Sequence, residues 1–334
     1  MTVLVTGGTG FVGSHVAARL AANGRAVRLL VRDPAKLARV PALVDLDSAS
    51  IDVVVGDVTD PQSVERALEG STAVVHAAAH VSLAERDAAR AEEVNVTGTR
   101  LVVGGAAQRE LKTAYVSSVS VFGTARSSIT LDSPVTDARG GYTRSKVAAE
   151  RIVRDLQRQG ARVAIVYPSG VLGPDPPDLS ATHLGLVGWV RTPPKTTSGC
   201  SIVDVRDVAL AIERALDAEP ARWMLGGTFL TYAELHAAIE RVTGVHRRPI
   251  RMPAPMLRLA GRAGDLAKRV VPFDYPLTYE AMVMATLASP YDSEATCRAL
   301  DLEWRPVDDT LTDSIRWLAK TGHLNARVAG TLAS

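Results

Sequence analysis

Apolar residues follow two rhythms along the first half of the chain. Short β-branched runs at Val3–Thr6, Ala26–Val31, Ile51–Val55, Ala73–His76, Thr113–Ser117 and Val163–Val166 predict strands. Between them, apolar positions three and four apart predict helices near 12–22, 61–69, 88–108 and 142–159. Near-continuous apolar strands alternating with amphipathic helices imply a parallel sheet covered on both faces. The expected class is α/β, a doubly wound parallel sheet spanning residues 1–167. Asn23-Gly24 reads as the C-cap of the first helix, and Asp60-Pro61 as the opening of the helix at 61.

After Tyr167 the texture changes. Residues 168–200 are rich in proline (Pro168, Pro174, Pro176, Pro177, Pro193, Pro194) and carry few regular signals. The helical run Val205–Leu216 and the strand Trp223–Leu225 predict a return of residues 201–226 to the sheet. Thr231-Tyr-Ala-Glu234 reads as a capping box, and further helices fit 255–270, 278–288 and 309–320. Residues 168–200 and 227–334 are thus expected to form a smaller, mainly helical substrate lobe. The 46% hydrophobic and 22% charged content of the 334 residues suits a globular protein. A net charge of +2, with cations spread among acids, gives no footprint for nucleic acid. Cys200 and Cys297 stand far apart without a CxxC, so neither a disulfide framework nor a metal site is expected. With the first strand at Thr2 and no apolar run long enough to span a bilayer, a cytoplasmic protein is expected.

The first strand runs directly into Gly7-Gly8-Thr9-Gly10-Phe11-Val12-Gly13 and then into a helix. In that context the glycines describe a phosphate cradle. Gly7 permits a tight turn, Gly10 lets the backbone approach a pyrophosphate, and Gly13 lets the helix pack close to the strand. The helix N-terminus attracts the anion. A dinucleotide-binding, or Rossmann, domain reads the ribose at the end of its second strand. There Leu30-Val-Arg-Asp-Pro-Ala-Lys36 places Arg32 and Lys36 where a 2′-phosphate would lie and leaves the usual carboxylate position to Val31. This points to NADP(H), the competing reading being solvated cations with Asp33 on the ribose. Asp57, in Gly56-Asp57-Val58, is a candidate acceptor for the adenine amino group or a cap for the helix at Pro61.

Tyr142 and Lys146 are four apart in a helical segment, so the ammonium lies near the phenol. A cation beside it favours the phenolate and brings a tyrosine, normally a poor base, towards acid–base work near neutrality. Upstream, the strand at 113–117 ends in Ser117, Ser118 and Ser120, at the carboxyl edge where such sheets bind ligands. Any of the three can donate a hydrogen bond to a substrate oxygen.

In these residues the chain resembles the extended short-chain dehydrogenase/reductase family, of the NAD-dependent epimerase/dehydratase type. The matching segments are Thr6–Gly13, Gly56-Asp57-Val58, Val75–Ala79, Asn95–Thr99, Ser117–Gly123, Tyr142–Lys146 and Pro168–Pro174, in the family's order over about half the chain. The resemblance implies that Ser118 is the catalytic serine, Tyr142 the acid/base, and Lys146 the residue holding the nicotinamide ribose. It places Phe11, Val12 and Val58 around the cofactor, Ala77, Ala78 and Ala79 beneath it, and Pro168 and Val171 beside the nicotinamide. Asn95 matches a family asparagine whose role is either functional or structural. The stretch Leu30–Lys36 is similar to that of NADP-preferring dihydroflavonol 4-reductases and carbonyl reductases. Val166-Tyr-Pro-Ser-Gly-Val-Leu-Gly-Pro174 lacks the asparagine and arginine of the nucleotide-sugar branch. Leu184, Leu186, Val187 and Trp189 then suggest an apolar substrate pocket, or ordinary packing. His80 and Ser169 are further substrate candidates, and His183 has similar standing.

The leading expectation is an NADP(H)-dependent reductase of ketones or aldehydes, whose partner is a small carbonyl or alcohol. Two alternatives are a nucleotide-sugar epimerase or dehydratase that recycles bound NAD, and a non-catalytic NADP-binding redox sensor. By resemblance, helices 88–108 and 142–159 pair two copies into a homodimer. Tyr115 is expected in the core, and Asp204 and Asp207 as helix caps. The amphipathic run Met256–Val271 is expected to cover the substrate pocket rather than to rest on a membrane surface.

Overall fold

A computed structural model describes residues 2–44, 51–82, 85–124, 127–137, 141–196, 198–267, 278–287 and 289–333. Strand β1 (Thr2–Thr6) leads into α1 (Phe11–Ala22) and β2 (Ala26–Val31); α2 (Pro41–Val44) precedes β3 (Ile51–Val55). Next come α3 (Pro61–Leu68), β4 (Ala73–His76), α4 (Ala88–Glu92) and α5 (Gly98–Gln108). β5 (Lys112–Val116), α6 (Gly141–Arg158), β6 (Val163–Pro168) and β7 (Gly170–Leu172) follow. The second half holds α7 (Ala181–Arg191), β8 (Pro194–Lys195), β9 (Gly199–Asp204), α8 (Val205–Asp217), β10 (Arg222–Leu225) and β11 (Thr228–Thr231). α9 (Tyr232–Thr243), β12 (Ile250–Arg251), α10 (Ala254–Ala267), α11 (Tyr279–Leu287), α12 (Glu294–Ala299), α13 (Val307–Lys320) and α14 (Ala326–Ala329) complete it.

The central sheet has the order β10-β6-β5-β4-β1-β2-β3 and is parallel throughout. Alternate residues of each strand face opposite layers. Val3 and Val5 join Val16, Ala17 and Leu20 of α1 and Val208, Ala211 and Ile212 of α8 on one face. Leu4 joins Val64 and Leu68 of α3 and Val102 of α5 on the other, beside a cluster built on Tyr115, Val147, Val153 and Ile165. Each fully buried aliphatic side chain there contributes about 1.5–3 kcal/mol. β10 returns from residue 222 to pair with β6, whereas β9 pairs with β7 and β11 in a separate three-stranded sheet. A separate core of Leu172, Leu186, Leu235, Ile239, Leu311 and Ile315 unites β7, α7, α9 and α13. Thr310 of α13 donates to Asp204 at 2.8 Å, tying that core to the end of β9.

Several local expectations hold. Asn23 is the C-cap of α1, with Gly24 at φ +74°. Thr231 and Glu234 form the capping box of α9. Three differ. Residues 88–108 are not one continuous α-helix: a π-helical turn over Glu93–Thr97 separates α4 from α5. Its Asn95 side chain reaches out of the helix to the backbone of His80, accepting from the amide at 2.7 Å and donating to the carbonyl at 3.1 Å. The proline-rich segment 168–200 contains β7, α7 and β8, with Ser180 capping α7 through the His183 amide. Gly185 and Gly188 inside α7 hide it from a propensity reading. The helices expected at 255–270 and 278–288 appear as α10 and α11; residues 268–271 and 288 lie outside the described residues.

Candidate active site

β1 is where strand order reverses, since the chain builds outward to β3 and then crosses to β4 on the other side. Parallel sheets bind ligands at the carboxyl end of that switch point. Gly7 turns there with φ +75°, and a Cβ on it would lie 2.6 Å from the Ala78 amide nitrogen. The glycine turn is therefore pressed against the Ala77-Ala78 backbone leaving β4. The Gly10 amide donates to the Gly7 carbonyl at 2.9 Å, and a Cβ on Gly13 would collide with that same carbonyl. Gly10 is the N-cap of α1 and supplies no side chain to its first amides. Half-buried Phe11 and Val12 open the helix. A cradle of backbone N–H groups that any side chain would fill fits a pyrophosphate.

On the outer side of the switch, Arg32 and Lys36 are exposed beyond the end of β2. Asp33 accepts from the Ala35 amide at 3.0 Å and caps the 3-10 turn Pro34–Arg39. Asp57 accepts from the Thr59 amide at 3.0 Å and hydroxyl at 2.9 Å, and meets Arg90 at 3.4 Å. Burial pushes this carboxyl up, but the Thr59 bonds with Arg90 and Arg32 outweigh it and leave it below the ordinary aspartate value. Asp57 does not cap α3; Asp60 does, accepting from the Ser63 amide at 3.0 Å. Arg90, absent from the sequence reasoning, is thus a cation of this end. Val58 is buried behind it, close to Gly98 of α5.

The three serines after β5 separate cleanly. The buried Ser117 donates its hydroxyl to Glu150 at 2.7 Å. Ser120 is buried as well. Ser118 is half-exposed, and its Oγ accepts from the Ser120 amide at 3.2 Å. Tyr142, half-buried, stands in the first turn of α6, whose Ser145 hydroxyl donates to the Tyr142 carbonyl at 2.7 Å. One turn on, the buried Lys146 donates its Nζ to the Val116 carbonyl at 2.8 Å, 5.2 Å from the centroid of the Tyr115 ring. Burial brings the ammonium down to about 8, against an upward pull from Glu150. Lys146 therefore ties α6, the helix that also carries Tyr142, to the last residue of β5, two residues before Ser118.

Asn95 also donates to Ser145 at 2.9 Å, so one amide braces the loop after β4 against the turn that carries Tyr142. Glu150 was missed. Four residues beyond Lys146, it is wholly buried and accepts from Ser117, from Arg154 Nε at 2.7 Å and from the Tyr167 hydroxyl at 2.5 Å. Its spacing of four from Lys146, repeating that of Tyr142, was the available signal.

The remaining candidates divide. His76, the last residue of β4, lies inside the protein, Nδ1 2.7 Å from Thr6 Oγ1 and Nε2 3.1 Å from Thr99 Oγ1. Burial, then Lys146, lowers it to about 3. His80 is half-buried beside Ala79, which is exposed. His183 is buried, 2.8 Å from Ser180, with its ring edge-on to Phe11 at 5.3 Å, and burial lowers it to about 4. Leu186 and Val187 belong to the second core, and Trp189 packs against Tyr232, which leaves half-buried Leu184 from the apolar set. Ser169 donates to the Gly226 carbonyl at 2.8 Å, just after buried Pro168 and before half-buried Val171. Tyr115 is core, as expected; Asp204 caps α8 through the Arg206 amide at 2.8 Å, whereas Asp207 accepts from the Arg305 amide. Among the described residues no helix is long and apolar enough to cross a membrane.

Comparison with known proteins gives a consistent picture. The family model described as "NAD dependent epimerase/dehydratase family" matches residues 3–226. A Synechocystis sp. protein provisionally named dihydroflavonol 4-reductase is 30% identical over 97% of this chain and 96% of its own length. The sterol demethylase protein B of Methylococcus capsulatus is 28% identical over 96% of this chain and 99% of its own. The crystal structure of a Stenotrophomonas maltophila UDP-glucose-4-epimerase, with bound NAD and formylated UDP-arabinopyranose, superposes with a TM-score of 0.75. At 20% identity over 97% of this chain and 99% of that one, it speaks for the fold alone.

Proposed function

The chain belongs to the NAD-dependent epimerase/dehydratase family, and from that premise we propose that it is an NADP(H)-dependent reductase of a ketone or aldehyde carried on an apolar framework. The observation that supports this reading most is the contact of Lys146 with the Val116 carbonyl at 2.8 Å, which ties the helix of Tyr142 to the strand end two residues before Ser118. A bound nicotinamide dinucleotide supplies the hydride. Ser118 donates a hydrogen bond to the substrate oxygen, and Tyr142 gives it a proton as negative charge develops there. Lys146 holds the nicotinamide ribose and, as a cation one turn away, eases that proton transfer. Gly7, Gly10 and Gly13 receive the pyrophosphate, with Ala77, Ala78 and Ala79 beneath the dinucleotide.

For the phosphorylated cofactor, the support is that Asp33 is engaged in capping its own turn, while Arg32 and Lys36 are exposed beyond β2. Residues 168–200 and 227–334 act as the substrate lobe, with Leu184 and His80 nearest to a substrate role. The reductase name of the Synechocystis relative favours a ketone or aldehyde over a diphosphate sugar.

The test is purified protein mixed with NADPH and a panel of aryl ketones, steroids and aldehydes. Consumption of NADPH with at least one of them, falling about 10²–10⁴-fold in Tyr142→Phe, is the expected result. Tightly held NAD in the purified protein, with no net NADPH consumption, would instead favour epimerisation or dehydration of a nucleotide-linked sugar.

A further inference from the structure

Burying a lysine ammonium next to a strand end is costly unless an anion compensates it. The groups packed around Lys146 are few. Tyr115 of β5 lies with its ring 5.2 Å from Nζ, and His76 of β4 stacks on Tyr115 at 5.9 Å. Both are neutral near pH 7, since burial pushes the Tyr115 phenol well up and the His76 imidazole down to about 3. Tyr142 lies one turn earlier on α6, and Glu150 one turn later. Glu150 is the anion that raises Lys146.

Glu150 is bonded to more than one element. One carboxylate oxygen accepts from Ser117, whose neighbours in the chain are Val116, the acceptor of Lys146, and Ser118. The other accepts from Arg154 of its own helix and from Tyr167 of β6. All three partners are donors, so each carboxylate oxygen is engaged as an acceptor. Removing it would strand Ser117 and Tyr167, take the ion-pair partner from Arg154 and delete the negative charge one helical turn from Lys146.

We infer that Glu150 is a positioning residue: its buried carboxylate keeps Lys146 an ammonium and, through Ser117, fixes the strand end that presents Ser118. The inference deepens the reductase reading above, but its first half concerns the state of one amine and stands apart from any substrate.

The experiment is titration of the lysine amines by NMR in protein labelled at lysine Cε, with the Lys146 signal assigned by its loss in Lys146→Arg. In Glu150→Gln the Lys146 midpoint is expected to fall by about one pH unit or more. In Ser117→Ala, which keeps the charge, it is expected to stay within about 0.3 unit while kcat drops. Once a substrate is in hand, the alkaline limb of kcat in Glu150→Gln moves to lower pH by the same shift. A Lys146 midpoint identical in Glu150→Gln and the parent overturns the inference, whether or not a substrate has been found. If Glu150→Gln does not fold, Glu150→Asp carries the test: its shorter carboxylate sits farther from the amine, and an unchanged Lys146 midpoint overturns the inference equally. Absence of NADPH consumption in the parent, with the Lys146 shift intact, removes the reductase reading and leaves this one standing.

Discussion

Asn95 and Ser145 meet through a 2.9 Å hydrogen bond, joining a π-helical turn to the first turn of α6. The same amide clamps both backbone groups of His80, and Ser145 in turn donates to the Tyr142 carbonyl. A single buried side chain therefore sets the spacing between the loop after β4 and the first turn of α6, which carries Tyr142. Asn95→Ala strands these groups and is expected to destabilise the fold by about 2–3 kcal/mol, read as a fall in the midpoint of urea unfolding. No fall would mean the bridge does not form in solution.

Lys146 sets the pH behaviour of the proposed reaction. Burial lowers the amine to about 8, so the cation is present below that value and is lost as pH rises through it. The rate of carbonyl reduction at saturating NADPH is expected to be flat towards pH 7 and to decline above about 8. A profile still rising at pH 9 would contradict this role for the ammonium.

Gly13 has no room for a methyl group, because its Cβ would strike the Gly7 carbonyl. Relief requires moving either α1 or the turn that forms the phosphate cradle. Gly13→Ala is expected to lower stability by about 1–3 kcal/mol and to weaken NADPH binding at least tenfold. Thermal unfolding and fluorescence titration with NADPH measure the two effects, and parental values for both would refute the close packing.

Arg32 is the test of cofactor choice. A charge-assisted bond to a phosphate contributes about 1.5–3 kcal/mol. Arg32→Ala should therefore weaken NADPH by roughly tenfold to a hundredfold and leave NADH nearly unchanged. Calorimetry with both cofactors decides it. Equal losses for the two would assign Arg32 a role other than reading the 2′-phosphate.

Two buried histidines make stability depend on pH. Folding lowers His76 from 6.5 to about 3 and His183 from 6.5 to about 4. The unfolded chain takes up these protons first, so the contribution of the neutral rings is intact above pH 6.5 and is lost progressively below it. Each histidine gives a slope of at most roughly 1.4 kcal/mol per pH unit in that window. In His183→Gln the dependence between pH 6.5 and 4 should be shallower than in the parent. An unchanged slope would show that the ring titrates freely when folded.

Much of this was legible along the chain. Short β-branched runs, glycines three apart and a Tyr–Lys spacing of four are local signals, because backbone geometry repeats every two or 3.6 residues. The first of them placed the parallel sheet. Asp57 and Asp60 were interchangeable as caps by sequence, and only their distances to Thr59 and Ser63 separated them. The apolar set on α7 looked like a substrate pocket, yet Leu186 and Val187 point into the core that α9 and α13 close. That assignment depends on helices far downstream.

What the sequence determined by itself was the class of fold and the family. That Ser117 is engaged while Ser118 stays half-exposed was visible only in the structure, where Glu150, 33 residues beyond Ser117, reaches across from α6. The physical reason is burial. A carboxylate or a hydroxyl acquires its role from the partners that replace water around it, and those partners come together only when the sheet and its helices have packed.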